Sequence, residues 1–288
     1  MKIAVVTDST AFIKEDYRNR EDLFIVPVPL IMDDEVYLEG VDIHLDGFYD
    51  KLNQAKTFPK TSQPALGELF ELYDKIGSLG YDAVVSIHMS SGISGLFQSL
   101  TSIAKEVESV SVYPFDSLLT SGPMGKMVEI ALDMAKEGSA SPEAIISKLE
   151  DVREHVQGLI VVDDLNHLVR GGRLKNGAAI IGTLLKIKPI LMFKEGDIVL
   201  SEKIRSQKKA LKRVEDIALN EISSKPMDST FYVIHCNNME TAEQVKADLL
   251  KVNAALEVII CDFGPVIGTH LGEKSVAIGV APKNREKT

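Results

Sequence analysis

The 288 residues carry 45% hydrophobic and 26% charged side chains, the balance of a soluble globular protein with room for one large or two ordinary domains. Against 32 basic residues stand 42 acidic ones, and the resulting charge of −10 argues against a nucleic-acid-binding surface. Cys236 and Cys261, both in apolar runs, cannot form a disulfide framework and are expected to be reduced, buried thiols of a cytoplasmic protein. The N-terminus turns polar too early for a signal peptide. The longest apolar stretch, starting at Ala178, is interrupted by Lys186, Lys188 and Pro189, so no membrane span is expected.

Along the chain, Ile3 to Val6 reads as a short buried strand that stops at Thr7, Asp8, Ser9 and Thr10, a hydroxyl cluster at a strand's carboxyl end. Leu23 to Ile31 is apolar but holds Pro27 and Pro29, which remove ladder donors and predict an edge or irregular extended segment. Asp33 to Leu45 reads as a hairpin or loop, and Gly47 to Asn53 as a helix. In the loop that follows, Thr61, Ser62 and Gln63 stand just before a helix, Ala65 to Ile76, that Pro64 is expected to open at its first turn. Ser62 fits either a helix cap or part of a polar site.

Ala83 to Met89 has the length and β-branched content of a buried strand, and Leu96 to Val107 repeats apolar residues at helical spacing. Between them lie Ser90, Ser91, Gly92, Ile93, Ser94 and Gly95. Helix starts leave backbone N–H groups unpaired and carry partial positive charge, so a strand, a Ser/Gly turn and a helix make a seat for an anion. In an open α/β sheet that seat lies at the strands' carboxyl ends. The glycines favour close approach of a ligand, and a plain connecting turn with a serine cap is the alternative.

A strand at Val110 to Phe115, a helix at Met124 to Lys136 and a helix at Pro142 to Val156 capped by Ser141 complete a first block. Its alternation of strand and helix implies a parallel sheet. The second block has a strand at Leu159 to Val162, helices at Leu165 to Val169 and Ala178 to Leu185, and an antiparallel hairpin of Lys188 to Phe193 with Ile198 to Ile204. A charged helix from Ser206 to about Ser223, strands at Thr230 to His235, Leu256 to Cys261 and Ser275 to Val280, and a helix at Thr241 to Val252 follow. The expected class is α/β, with a mainly parallel sheet in a domain of residues 1–155 and a mixed sheet in a domain of residues 156–288.

Ser94, an acid and His270 follow the chain order of α/β-hydrolases, and a serine hydrolase is the sharpest enzymatic alternative. The nucleophile elbow is incomplete, because Leu96 stands where its last glycine belongs. Gly172 to Ala178 imitates the glycine spacing of a phosphate-binding loop, yet Ala178 replaces the lysine. The six histidines show no ligand spacing and neither cysteine has a CxxC neighbour, so no metal site is expected. His270 alone stands out, within the glycine-rich run Gly264 to Gly272. Arg170, Arg173, Lys175, Lys186, Lys188, Lys194, Arg205, Lys208 and Lys209 make one region basic, either a solvated face or a surface for phosphate or an acidic partner.

Five stretches spread over nearly the whole chain carry a family resemblance: VTDST (Val6 to Thr10), KTSQP (Lys60 to Pro64), SSGISG (Ser90 to Gly95), LVRGGR (Leu168 to Arg173) and GTHLG (Gly268 to Gly272). In these the sequence resembles the DegV family, and within it the fatty-acid-binding subunit of bacterial fatty acid kinase. The resemblance implies two α/β domains with a long-chain fatty acid between them. Thr61 and Ser94 would donate hydroxyl hydrogen bonds to its carboxylate, with Ser62, Gly95 and helix-entrance amides close by and His270 beside the head group. Arg170, Arg173 and Arg205 would face a separate kinase subunit, which supplies ATP and metal and converts the acid to an acyl phosphate for phospholipid synthesis. The chain itself would be a cytoplasmic, monomeric carrier without cofactor or turnover, touching membranes only transiently. A chain of about sixteen carbons offers roughly 0.8 kcal/mol per buried methylene, on the order of 12 kcal/mol gross, so the tail should dominate affinity. The sequence departs from the family after His270, where Leu271, Gly272, Glu273 and Lys274 stand instead of a proline-glycine pair.

Overall fold

The computed structural model describes residues 1–180, 187–222 and 228–283. The first block contains β1 (Ile3–Asp8), α1 (Glu15–Arg18), β2 (Leu23–Val26), β3 (Pro29–Met32), β4 (Glu35–Leu38), α2 (Phe48–Gln54), β5 (Lys60–Thr61) and α3 (Leu66–Ser78). It continues with β6 (Ala83–His88), α4 (Leu96–Ile103), β7 (Ser111–Asp116), α5 (Ser121–Lys136) and α6 (Pro142–Arg153). Strands β2-β1-β6-β7 form a parallel sheet, as the alternation requires, with every residue of the central β1 and β6 buried. Ser141 caps α6, its hydroxyl accepting from the Ala144 amide at 3.2 Å, with Pro142 in the first turn.

The second block contains β8 (Gln157–Val161), α7 (Asn166–Arg170), α8 (Gly177–Ile180), β9 (Lys188–Lys194), β10 (Asp197–Ile204) and α9 (Gln207–Ile217), which runs into a π-helical turn at Ala218–Ile222. Then come β11 (Ser229–His235), α10 (Met239–Val252), β12 (Glu257–Asp262), α11 (Pro265–Leu271) and β13 (Val276–Pro282). Their sheet, in the order β10-β9-β8-β13-β11-β12, is mixed: β11 and β12 are parallel and the other pairs antiparallel. The ends of the expected helices at Ala178 to Leu185 and Ser206 to Ser223, and Lys186, lie outside the described residues.

Two local readings are corrected. Leu23 to Ile31 is two strands: β2 edges the parallel sheet, whereas β3 leaves it to pair antiparallel with β4 and β5, with Pro29 at the strand's first position, where proline is tolerated. Pro64 does not open α3, which starts two residues later with Ala65 at its N-cap; the preceding Thr61 belongs to β5 and pairs with Leu30. The glycine-rich run around His270 is helical, because its glycines let other elements approach. A Cβ on Gly268 would lie 2.9 Å from the Tyr49 hydroxyl, and one on Gly264 would lie 2.3 Å from the Glu39 carboxylate. The loop after it turns through Gly272 and Lys274, both at positive φ, and the Lys274 amide donates to the Cys236 carbonyl at 2.7 Å.

The two sheets share α5. Residues Ser121 to Leu132 of this helix are all buried, and it packs on β1 and β6 of one sheet and on β11 and β13 of the other. A Cβ on Gly125 would lie 1.7 Å from the Phe12 carbonyl oxygen, so this position requires glycine. Its buried charges are paired, Lys126 with Glu129 at 3.4 Å and Lys14 with Glu129 at 3.5 Å. One apolar cluster accordingly draws on both blocks, from Val5, Ile87 and Met124 to Ile160, Leu191 and Tyr232.

The tip of the β9–β10 hairpin closes over the Ser/Gly turn after β6. The Ser90 hydroxyl donates to the Gly196 carbonyl at 2.7 Å, and a Cβ on Gly92 would lie 2.3 Å from that carbonyl oxygen. Gly92 thus admits the hairpin rather than a ligand. Gly92→Ala is expected to lower the thermal midpoint by the equivalent of about 1–3 kcal/mol, the usual cost of overpacking, in a circular-dichroism melt. Gly67→Ala, in a helix with open space around it, should leave the midpoint unchanged or higher.

Candidate functional site

A cavity of about 210 Å³ opens where the carboxyl ends of the parallel strands meet the mixed sheet. One part of its wall is polar: Thr61, Ser62, Gln63, Ser94, Gly95, Arg173 and His270. Much of the rest is apolar, with Met89, Ile160, Phe193, Ile198, Phe263 and Val266 among its residues. The five residues expected at a carboxylate site, Thr61, Ser62, Ser94, Gly95 and His270, therefore come together, although β5, the Ser/Gly turn and α11 are remote in sequence.

Thr61 Oγ1 and His270 Nε2 are 2.8 Å apart. Burial, with Arg173 and His167 nearby, pulls the His270 pKa down to about 3, so the ring is neutral at physiological pH. Its other nitrogen, Nδ1, is buried without a hydrogen-bond partner among the described residues. A proton on Nε2 leaves only a bare lone pair at Nδ1, and the ring then donates to Thr61, whose own hydroxyl hydrogen is free. Ser94 is in the same condition: its Oγ accepts from the Leu96 amide at 3.2 Å at the start of α4, leaving its hydrogen free to donate.

Arg173 departs from the expectation that it faces a partner. It lines the cavity half-buried, with Nε donating to the Ile93 carbonyl at 3.1 Å and Nη1 to the Gly171 carbonyl at 2.5 Å. These bonds leave Nη2 without a partner among the described residues, and burial lowers the guanidinium pKa. The cavity wall thus holds a cation besides its neutral donors. Arg170 and Arg205 are exposed and outside the cavity wall; the Arg170 guanidinium stacks 4.3 Å above the Phe58 ring.

The hydrolase alternative is not supported. His270 Nε2 is engaged by Thr61 rather than Ser94, and with Nδ1 unpartnered no carboxylate orients the ring, so nucleophile, base and acid are not assembled.

A buried relay beside the cavity escaped the sequence reading. Tyr73 Oη is 2.8 Å from Ser86 Oγ, Ser86 Oγ is 2.8 Å from His88 Nε2, and His88 Nδ1 is 3.1 Å from Asp8 Oδ2. Asp8 also accepts from the Met89 amide at 2.9 Å and from the Thr10 hydroxyl at 2.6 Å, and Thr120, in the cavity wall, donates to Thr10 at 2.9 Å. Ser86, His88 and Asp8 have the spacing of a hydrolytic triad but no exposed surface, and Tyr73 occupies the serine, so they serve structure. The available signal was Ser86 and His88, two residues apart on one face of an otherwise apolar strand. Gln63 and Thr120 in the wall were also missed. Among the described residues no cluster of three or more His, Cys, Asp or Glu side chains could hold a metal, and no helix is long and apolar enough to cross a membrane.

A family model for DegV, described as an uncharacterised protein, matches residues 2–283. The chain is 42% identical over 278 residues to protein DegV of Bacillus subtilis, covering 96% of this chain and 98% of that one. It is 42% identical over 284 residues to a DegV domain-containing protein of Streptococcus pyogenes serotype M1, covering 98% and 100%. Among solved structures it is similar to the fatty acid binding DegV family protein of Streptococcus agalactiae (TM-score 0.94, 42% identity, 99% and 100% covered). It is similar also to DegV of Bacillus subtilis, described as a fatty acid binding protein (TM-score 0.90, 42% identity, 98% and 100% covered).

The relay yields a stability test. Burial works to raise the Asp8 pKa, but bonds from His88, Thr10 and the Met89 amide outweigh it and hold it below the ordinary 3.8. A carboxyl depressed on folding stabilises above its unfolded value and loses that contribution as pH falls through its folded one. Asp8→Asn is expected to cost about 3 kcal/mol near neutrality in denaturant unfolding, with the gap to wild type closing at pH values below 3.8.

Proposed function

The chain belongs to the DegV family, and from that premise we propose that it is a carrier that holds a long-chain fatty acid between its two α/β domains, residues 1–155 and 156–288, and presents the carboxylate to a separate ATP-dependent kinase subunit. The observation that carries this reading is a cavity wall that joins a set of hydrogen-bond donors to a large apolar share. Thr61, Ser94 and Arg173 Nη2 have hydrogens available for one carboxylate, and a neutral His270 orients Thr61. The relatives described as fatty acid binding support the choice of ligand.

In the proposed reaction a carboxylate oxygen attacks the γ-phosphorus of ATP held by the partner, the bond to ADP breaks, and the acyl phosphate stays in this chain for delivery to phospholipid synthesis. The carrier holds and orients the nucleophile, while metal and nucleotide belong to the kinase. Arg170 and Arg205, exposed and outside the cavity, suit a face that meets that subunit. We take the carrier to be cytoplasmic and monomeric, exchanging ligand with membranes by transient contact.

Purified protein denatured in organic solvent is expected to release stoichiometric fatty acid, identified by mass spectrometry. Thr61→Ala with Ser94→Ala should weaken retention by at least about a hundredfold, each lost bond to a charged group being worth roughly 1.5–3 kcal/mol. No bound acid after incubation with a range of chain lengths would sink the carrier reading. Arg170→Ala with Arg205→Ala should reduce acyl-phosphate formation by an added kinase subunit while fatty acid content stays unchanged; an undiminished rate removes these arginines from the partner face.

A further inference from the structure

Glu39 lies in the loop after β4 with only 5% of its surface exposed. One carboxylate oxygen accepts from the Ser9 hydroxyl at 2.5 Å, and the other from the Val266 amide at 2.9 Å, 227 residues away in sequence. Ser9 in turn accepts from the Val28 amide at 3.0 Å, and the Glu39 amide donates to the Val28 carbonyl at 3.2 Å. Val266 is in the first turn of α11, whose N-cap is Gly264 and whose next residue, Pro265, has no N–H. The helix has no cap of its own. The close approach of Glu39 to Gly264 shows that the missing acceptor is supplied from the other domain.

Helix α11 contributes Val266, Ile267, His270 and Leu271 to the cavity wall. It is fixed to the first domain by Glu39 at its start, by Phe48 and Tyr49 against Gly268 in its middle, and by the bond from His270 to Thr61 at its end. The last of these belongs to the ligand site itself, and the middle one is apolar contact. Glu39 is the ionisable group of the three that touches no ligand.

We propose that Glu39 is a positioning residue for the fatty-acid cavity: its buried carboxyl caps α11 from the opposite domain and so governs how long a bound fatty acid stays. This rests on the carrier reading. Burial pushes the Glu39 pKa from 4.5 to about 7, helped by Asp8 and opposed by the bonds from Ser9 and Val266. Glu39 also lines a second cavity, of about 470 Å³, with Arg18, His44 and Asp262, through which protons can reach it. A carboxyl raised in the closed arrangement returns towards its ordinary value where water reaches it, so protonation favours closure. The grip is firm at low pH and given up as pH rises through about 7.

Wild type, E39Q and E39A, loaded with radiolabelled oleate, are to be followed for release into phosphatidylcholine vesicles at about pH 6 and about pH 8. In parallel, amide hydrogen exchange of residues 265–271 is read without ligand. Wild type should release oleate several-fold faster at the higher pH; E39Q, which keeps an acceptor for Val266 without a titratable proton, should lose that dependence. E39A should release it about tenfold faster than wild type at the lower pH and exchange those amides faster. Equal release by wild type and E39A overturns the proposal, whatever the exchange shows. If E39A does not fold, matching pH profiles for wild type and E39Q overturn it, because His44, Asp8 and Asp262 are common to both. Wild type that takes up no oleate defeats the carrier reading instead, and the exchange arm then decides separately whether Glu39 fixes α11.

Discussion

Burial of α5 on every side is the constraint from which the rest of the molecule follows. A helix packed on two sheets at once leaves neither free to move without exposing its apolar face, so the two domains share a core although their strands never pair. Gly125, pressed against the Phe12 carbonyl, and the paired Lys126 and Glu129 are what such a position demands of a sequence: no side chain where backbone intrudes, and no charge without its complement. The cavity lies at the strand ends, where the parallel sheet offers hydroxyls and backbone donors, and Thr120 at the N-cap of this helix is part of its wall.

The electrostatics of that space suit an anion. A lysine would give a compact, strongly hydrated charge; here the charge is a guanidinium already committed to two carbonyl oxygens, and the other donors are neutral hydroxyls. The neutral imidazole fixes the direction of a hydroxyl without adding charge, an economy that burial enforces by keeping the ring deprotonated. Behind the site, the relay from Tyr73 to Asp8 satisfies the polar groups that the strand ends bring indoors and anchors Thr120 in the wall.

Much of this was legible in the sequence. β-branched runs located the central strands, and the capping of α6 followed from Ser141 and Pro142. The hydroxyl and glycine clusters marked polar strand and helix ends, and the family resemblance grouped Thr61, Ser62, Ser94, Gly95 and His270, which the structure brings to one cavity wall. What stayed hidden depends on contacts between distant residues. A two-residue strand such as β5 has no period to detect, and α11 runs against the low helix propensity of its glycines because Glu39 and Tyr49 need the room they leave. The direction of Arg173 was unreadable for the same reason: the carbonyl that draws its Nε inward belongs to Ile93, which no local pattern connects to it.

Thr61 and His270, in contact in the cavity wall, are separated by 209 residues. The site therefore has no existence in a partly synthesised chain. Thr61 is made first and waits, with its strand partners, until α11 has followed and can fold against it. A chain cut short before α11 could bury its first sheet and look folded, yet it would lack His270 and the rest of the cavity wall that this helix supplies.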